Sequence, residues 1–269
     1  MINLPKLAVA ALAALAFNAA HAGTITDAYQ GATGSGDLIG SSIYEISSAA
    51  ITRTGNVLSI AITTNFAGRA GTDTYNNVKI GYGDLFLSNA WNPSGTAASN
   101  YATDNMANSG TIWKYGVSID SATARATAGA QTTAVSLYQL NAPTGVSGAA
   151  AINAANIRTS TDVINGGTSA YRAGQADQVK TTGSSSVLDT GKNGSLISSA
   201  AGGNLLTFSI DITGTDMMNW TSFAMHWGET CQNDVIEGIT SVSVPEPAGL
   251  ALFGLGLVGL VAARRRKMI

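Results

Sequence analysis

The sequence predicts an all-β protein: a single β-sandwich or jelly-roll-like domain, flanked at each end by an apolar segment. Three observations predict it. Apolar and polar residues alternate over short stretches, the two-residue period of a strand with one buried face. Glycine, at 31 of 269 residues, punctuates those stretches together with serine, threonine and asparagine. Charged residues make up only 11%, against about 25% in ordinary soluble proteins, which suits turns and short strands better than charge-coated helices.

The chain opens with a short positive region, Met1 to Lys6, followed by the apolar run Leu7 to Phe17 and the ending Ala20-His21-Ala22. A basic start, an apolar core of that length and an A-x-A ending are the parts of a secretory signal peptide. The run is too short to span a bilayer. The expected leader is therefore 1–22, cut between Ala22 and Gly23.

Residues 23–244 form the expected exported domain. Its clearest strand runs from Val57 to Phe66, with Leu58, Ile60 and Ile62 on one face. The stretch from Ile43 to Ile51 reads as its partner, joined through Thr54-Gly55-Asn56 as a hairpin. Further strands are expected over 78–87, 111–120, 133–140, 205–212, 222–227 and 238–244. One short helix is expected over 149–157. The stretches 91–110 and 183–203 carry turn residues throughout and read as loops. No fixed-period repeat is present, so a solenoid is not expected.

The chain then reads Pro245-Glu246-Pro247, an uncharged run over 248–263, and Arg264-Arg265-Arg266-Lys267. As a helix the run would cover about 24 Å, just short of the ~30 Å hydrocarbon core, a gap that snorkelling arginines make up. The basic cluster would stop the span on the cytoplasmic side and leave Pro245 outside. Flanking prolines hold Glu246 in extended chain at the membrane face. This order of elements over 245–269 resembles the PEP-CTERM sorting signal of Gram-negative bacteria. The resemblance implies that the chain is a substrate of exosortase, a membrane-embedded cysteine transpeptidase-like enzyme that processes such signals. It implies an inner-membrane-anchored precursor that ends at the cell surface or in the extracellular matrix. The expected partners are exosortase, the secretion machinery with signal peptidase, the inner membrane during transit, and extracellular polysaccharide.

The whole chain has 14 basic and 16 acidic residues. Setting aside Lys6, Glu246, Arg264, Arg265, Arg266 and Lys267 leaves nine and fifteen, a charge of −6 on the exported body. Nucleic acid is not an expected partner of so acidic a body.

Several body segments go together: Gly83 to Ser88 with Trp91-Asn92-Pro93, Trp113-Lys114-Tyr115, Tyr171 to Gln175, and His226-Trp227 onward to Cys231 and Gly238. This constellation resembles exported domains found upstream of the same sorting signal, whose activity is not established. It implies no catalytic residues.

With the leader removed, His226 is the one histidine and Cys231 the one cysteine. That excludes a disulfide framework within the chain and a histidine-rich metal centre. A thiolate activated by His226 is one reading; a packed histidine beside a buried thiol is the preferred one, because no nucleophile-elbow motif accompanies the pair. The chain is not expected to be an enzyme. No resident cofactor is expected beyond calcium, for which Asp84, Asp104, Asp234 and Glu237 are the candidate ligands. Trp91, Trp113, Trp220 and Trp227 are candidates for stacking on sugar faces, or for packing. The expected role is structural or adhesive, with a carbohydrate-binding or polysaccharide-hydrolysing domain as the alternative.

Overall fold

A computed structural model of the chain describes residues 21–31, 36–164 and 172–242. The expected leader up to residue 20, the Pro-Glu-Pro motif, the transmembrane span 248–263 and the arginine tail lie outside the described residues. Among the described residues no helix is long and apolar enough to cross a membrane.

The body is all-β in its framework. In chain order the strands are β1 His21–Thr26, β2 Ile46–Thr54, β3 Val57–Thr64, β4 Thr74–Tyr75, β5 Val78–Lys79, β6 Leu85–Ser88, β7 Tyr115–Ile119, β8 Gln131–Leu140, β9 Ile157–Thr159, β10 Ala176–Val179, β11 Val187–Ser198, β12 Leu205–Asp211, β13 Ser222–Gly228 and β14 Val235–Ser241. Among the described residues three short α-helices, α1 Ala122–Arg125, α2 Ala149–Asn156 and α3 Ser160–Ile164, lie between strands.

Ten strands form one antiparallel sheet in the order β1-β2-β3-β12-β11-β8-β7-β6-β13-β14. The sheet curls until its edge strands meet. A Cβ built on Gly23 of β1 would stand 2.5 Å from the Ser241 carbonyl of β14, and one on Gly238 would stand 2.8 Å from Ile25 Cγ2. The architecture is therefore nearly a barrel with an open seam, rather than the two facing sheets of a sandwich. Pairing runs unbroken from β1 to β14, so no boundary exists at which two sheets could separate. Register shifts at Ile46/Ser48 and Asp189/Lys192 increase local twist and help the sheet coil.

The expected hairpin is present: Thr54 pairs with Val57 across Gly55-Asn56. Leu58, Ile60 and Ile62 point inward, where they meet Ile51, Phe208, Val117 and Met225 in the main core. Other expectations are corrected. The 78–87 stretch is two separate strands, β5 and β6, because Gly81 and Gly83 lie too close to the Arg125 and Gly228 carbonyls for any side chain. The 183–203 stretch is not a loop but contains β11, twelve residues long.

A second layer covers the outside of β6, β7 and β13. Inward residues such as Leu85, Leu87 and Trp227 join the main core. The outward ones, Phe86 and Ala224, pack with Met106, Trp113, Ile157, Ala176 and Val179. The chain over 89–113, α2 and the β9–β10 ribbon supply this cover, so β6 and β13 are buried on both faces.

The register fixes which end of the barrel carries what. His21 lies opposite Arg53, and Ser241 opposite Ser222, so both chain ends leave the body at one end of the seam. The expected cleavage point between Ala22 and Gly23 falls two residues into β1. Asp27 and the Glu229–Asp234 turn lie at the opposite end.

Candidate functional site

The seam carries the chemistry. On β14 side chains alternate, so Ile236 enters the core while Glu237 points outward. Directly across, His226 of β13 also points outward. The two meet at 2.7 Å, His226 Nδ1 to Glu237 Oε2. His226 Nε2 lies 2.8 Å from the Ala176 carbonyl. A carbonyl only accepts, so Nε2 carries a hydrogen. The Nδ1 contact then holds one proton between the imidazole and the carboxyl, as imidazolium with carboxylate or as neutral ring with carboxylic acid. Phe86 and Trp113 pack against the ring at centroid distances of 6.1 and 5.9 Å.

The other Glu237 oxygen accepts from Trp91 Nε1 at 2.7 Å. Trp91 meets Tyr101 edge-on, with centroids 4.8 Å apart, and Tyr101 stacks on Tyr29 at 6.1 Å. These rings wall a groove of about 270 Å³ along the outer side of the seam, with Thr24 and Thr26 of β1 opposite. The same arrangement fixes Asp104. Its Oδ2 accepts from the Tyr29 hydroxyl at 2.9 Å and its Oδ1 from the Ser94 amide at 2.7 Å. Burial, then the nearby Glu237 charge, push the Asp104 pKa up to about 6. Burial and the same charge raise the Tyr29 hydroxyl well above its ordinary value. A small cavity of about 10 Å³ between Asp104, Gln175, His226 and Glu237 is roughly the size that admits one water.

The four calcium candidates do not come together. Asp104 and Glu237 line the small cavity. Asp84 is elsewhere, with its Oδ1 accepting from Arg125 and the Ile119 amide and its Oδ2 from the Val179 amide. It joins the outer layer to the barrel, and both its oxygens are already engaged. Asp234 lies in a third place, beside Asp27 and Asp37, two acids that the sequence reading passed over. Arg172 and Glu229 were missed there too. The one signal for Arg172 in the sequence is its place as the lone charge in the stretch Tyr171 to Gln175.

Cys231 is a free, buried thiol. Burial, then Glu229, raises its pKa well above normal, and both nitrogens of His226 are engaged elsewhere. The pair therefore does not form a thiolate–imidazole nucleophile. Of the four tryptophans only Trp91 lines the groove. Trp113, Trp220 and Trp227 are at most 5% exposed, and they pack rather than stack on a ligand.

An all-β exported body with an aromatic-walled seam thus precedes the sorting motif. Residues 243–267 match the family model described as the PEP-CTERM protein-sorting motif. This chain carries that motif, which marks an exported, membrane-anchored precursor of a Gram-negative bacterium, processed by exosortase. No curated protein and no solved structure matches the chain.

Proposed function

We propose that the body is a non-enzymatic adhesive protein of the cell surface or extracellular matrix, which holds polysaccharide in the groove along its seam. The groove carries the reading. Trp91 and Tyr101, both partly exposed, offer ring faces and edges to the apolar side of a sugar, while the exposed Thr24 and Thr26 stand ready for its hydroxyls. At about 270 Å³ it falls just below the ~300–1,000 Å³ of pockets that enclose drug-sized ligands, which suits a short stretch of a long chain lying across it.

Hydrolysis is the weaker alternative. A glycosidase needs one carboxyl free to protonate and another free to attack or to activate water. Here both Glu237 oxygens are held by Trp91 and His226, and both Asp104 oxygens by Tyr29 and Ser94. On this reading signal peptidase releases the body at Gly23, exosortase processes the region of Pro245, Glu246 and Pro247, and Arg264 to Lys267 hold the precursor at the inner membrane.

Binding of the secreted protein to an array of bacterial polysaccharides tests the proposal. Retention on at least one glycan, lost in Trp91→Ala, is expected. Release of new reducing ends would favour the hydrolytic alternative, and no retention on any glycan would overturn the adhesive reading.

A further inference from the structure

The end of the barrel away from the chain termini holds an unusual concentration of charge. Asp27 follows β1, Asp37 sits in the turn before β2, and Asp234 precedes β14. One oxygen from each lies within 4.8 Å of the others. Both Asp27 oxygens and Asp37 Oδ1 are closed off from solvent and have no hydrogen-bond partner among the described residues.

Two neighbouring side chains point to a missing ligand independently of those three. Glu229 is fully buried and directed at Asp234, its Oε2 3.4 Å from the Asp234 amide nitrogen, while its Oε1 has no partner. Asn233, only 7% exposed, donates from Nδ2 to the Ile39 carbonyl at 2.8 Å, which lays its amide over the turn that carries Asp37. The Oδ1 of that amide has no partner either.

Arg172 neutralises the cluster only in part. Its Nη1 donates to the Gln232 and Asn233 carbonyls, its Nη2 to the Gly36 and Asp37 carbonyls, and Asp234 Oδ1 is 4.0 Å away. The guanidinium shapes the turns around the acids. Asp234 is oriented by the Ile46 and Val235 amides, which donate to its Oδ2 and Oδ1 at 2.7 and 2.9 Å, while the Asp27 oxygens and Asp37 Oδ1 stay without a partner among the described residues. Four carboxyls against one guanidinium leave an excess of negative charge in a buried place, which is costly without a counter-ion.

We propose that Asp27, Asp37 and Asp234 bind one calcium ion, in a site that staples the end of β1 to the turns before β2 and β14. The donors are all oxygen, and no histidine or thiolate belongs to the group, which selects a hard cation. Calcium takes six to eight oxygen ligands in a flexible geometry, and three carboxylate oxygens within 4.8 Å of one another suit it. Magnesium demands near-ideal octahedral geometry and gives up its waters reluctantly, so a cluster of buried carboxylates suits it less. Glu229 adds negative field behind Asp234, and Asn233 supplies a neutral oxygen at the same turn.

The test is titration of Ca²⁺ into the chelator-stripped full chain in detergent micelles, followed by calorimetry and thermal melting. One ion per chain is expected, with a rise in Tm of roughly 5 °C or more at a hundredfold excess over Kd. Asp37→Asn, at a half-buried position, is expected to weaken binding at least tenfold while leaving the metal-free Tm nearly unchanged. Asp104→Asn is expected to bind as the parent does. No heat and no Tm shift at millimolar Ca²⁺ would overturn the proposal. So would undiminished binding in an Asp27→Asn, Asp37→Asn double variant, loss of binding in Asp104→Asn alone, or a preference for Mg²⁺.

Discussion

His226 and Glu237 face each other across the β13–β14 ladder with 2.7 Å between Nδ1 and Oε2, and neither reaches bulk solvent by more than a few per cent of its side chain. Removing one partner strands the other. Glu237→Ala is expected to cost about 3–5 kcal/mol, the usual penalty for breaking a buried pair, since it leaves both His226 Nδ1 and Trp91 Nε1 without their acceptor. Glu237→Gln keeps an oxygen for Trp91 and is expected to cost less. Urea unfolding of the two variants gives the comparison.

Asp104 makes stability depend on pH. In the folded chain it keeps its proton until about 6, against an ordinary 3.8. Between those values the unfolded chain binds fewer protons than the folded one, so stability falls as pH rises. The contribution is complete below 3.8 and lost as pH passes about 6. With a chelator present, the urea midpoint is expected to drop between pH 4 and pH 7, and the drop is expected to be smaller in Asp104→Asn.

Arg53 is 2% exposed and donates from Nη1 to the carbonyls of Met217, Met218 and Trp220. It holds the turn at the end of the barrel where the chain leaves. Arg53→Met keeps most of the bulk and orphans these carbonyls, at about 1–3 kcal/mol for each that finds no water. A loss of roughly 2–4 kcal/mol in ΔG of unfolding is expected.

The seam itself is open to test. Gly238→Val places atoms against Ile25, where even a Cβ would be 2.8 Å from Cγ2. Overpacking of this kind costs about 1–3 kcal/mol. Adding Ile25→Ala is expected to recover part of that loss, giving a favourable coupling term of at least about 0.5 kcal/mol in a double-mutant cycle. Simple additivity would mean that β1 and β14 are not in contact.

Replacing Pro245, Glu246 and Pro247 by alanine is expected to leave the chain membrane-bound and unprocessed. Mass spectrometry of the C-terminus in the parent and the variant reads the difference directly.

The sorting motif was legible because its meaning is linear: proline, apolar run and arginines act in the order they occur. Strands such as 57–64 were legible for a similar reason, since alternation reports a face that is buried in any β architecture. β11 was hidden because its residues 189–195 are Asp, Thr, Gly, Lys, Asn, Gly and Ser. Its neighbours β8 and β12 supply the ladder that local propensity does not. The outer layer was invisible because Phe86 and Ala224 meet Met106, Ile157 and Val179 only after the barrel has formed. Likewise Glu237 was noted as one of several acids, but its Trp91 partner lies 146 positions away. Asp27 and Asp234 are farther apart still, and no local pattern joins them.

The shared exit of the two chain ends gives the body a load path. Tension from the sorting segment enters β14 at Val242, five residues beyond Glu237, or about 17 Å along an extended strand. A polymer held in the groove would resist at Trp91 and Tyr101, which lie outside β14. The pull then runs parallel to β14, while its hydrogen bonds to β13 lie across that direction. Those bonds are loaded together in shear, instead of being unzipped one after another. An edge strand that is weak against peeling becomes strong in the one direction in which the tether pulls.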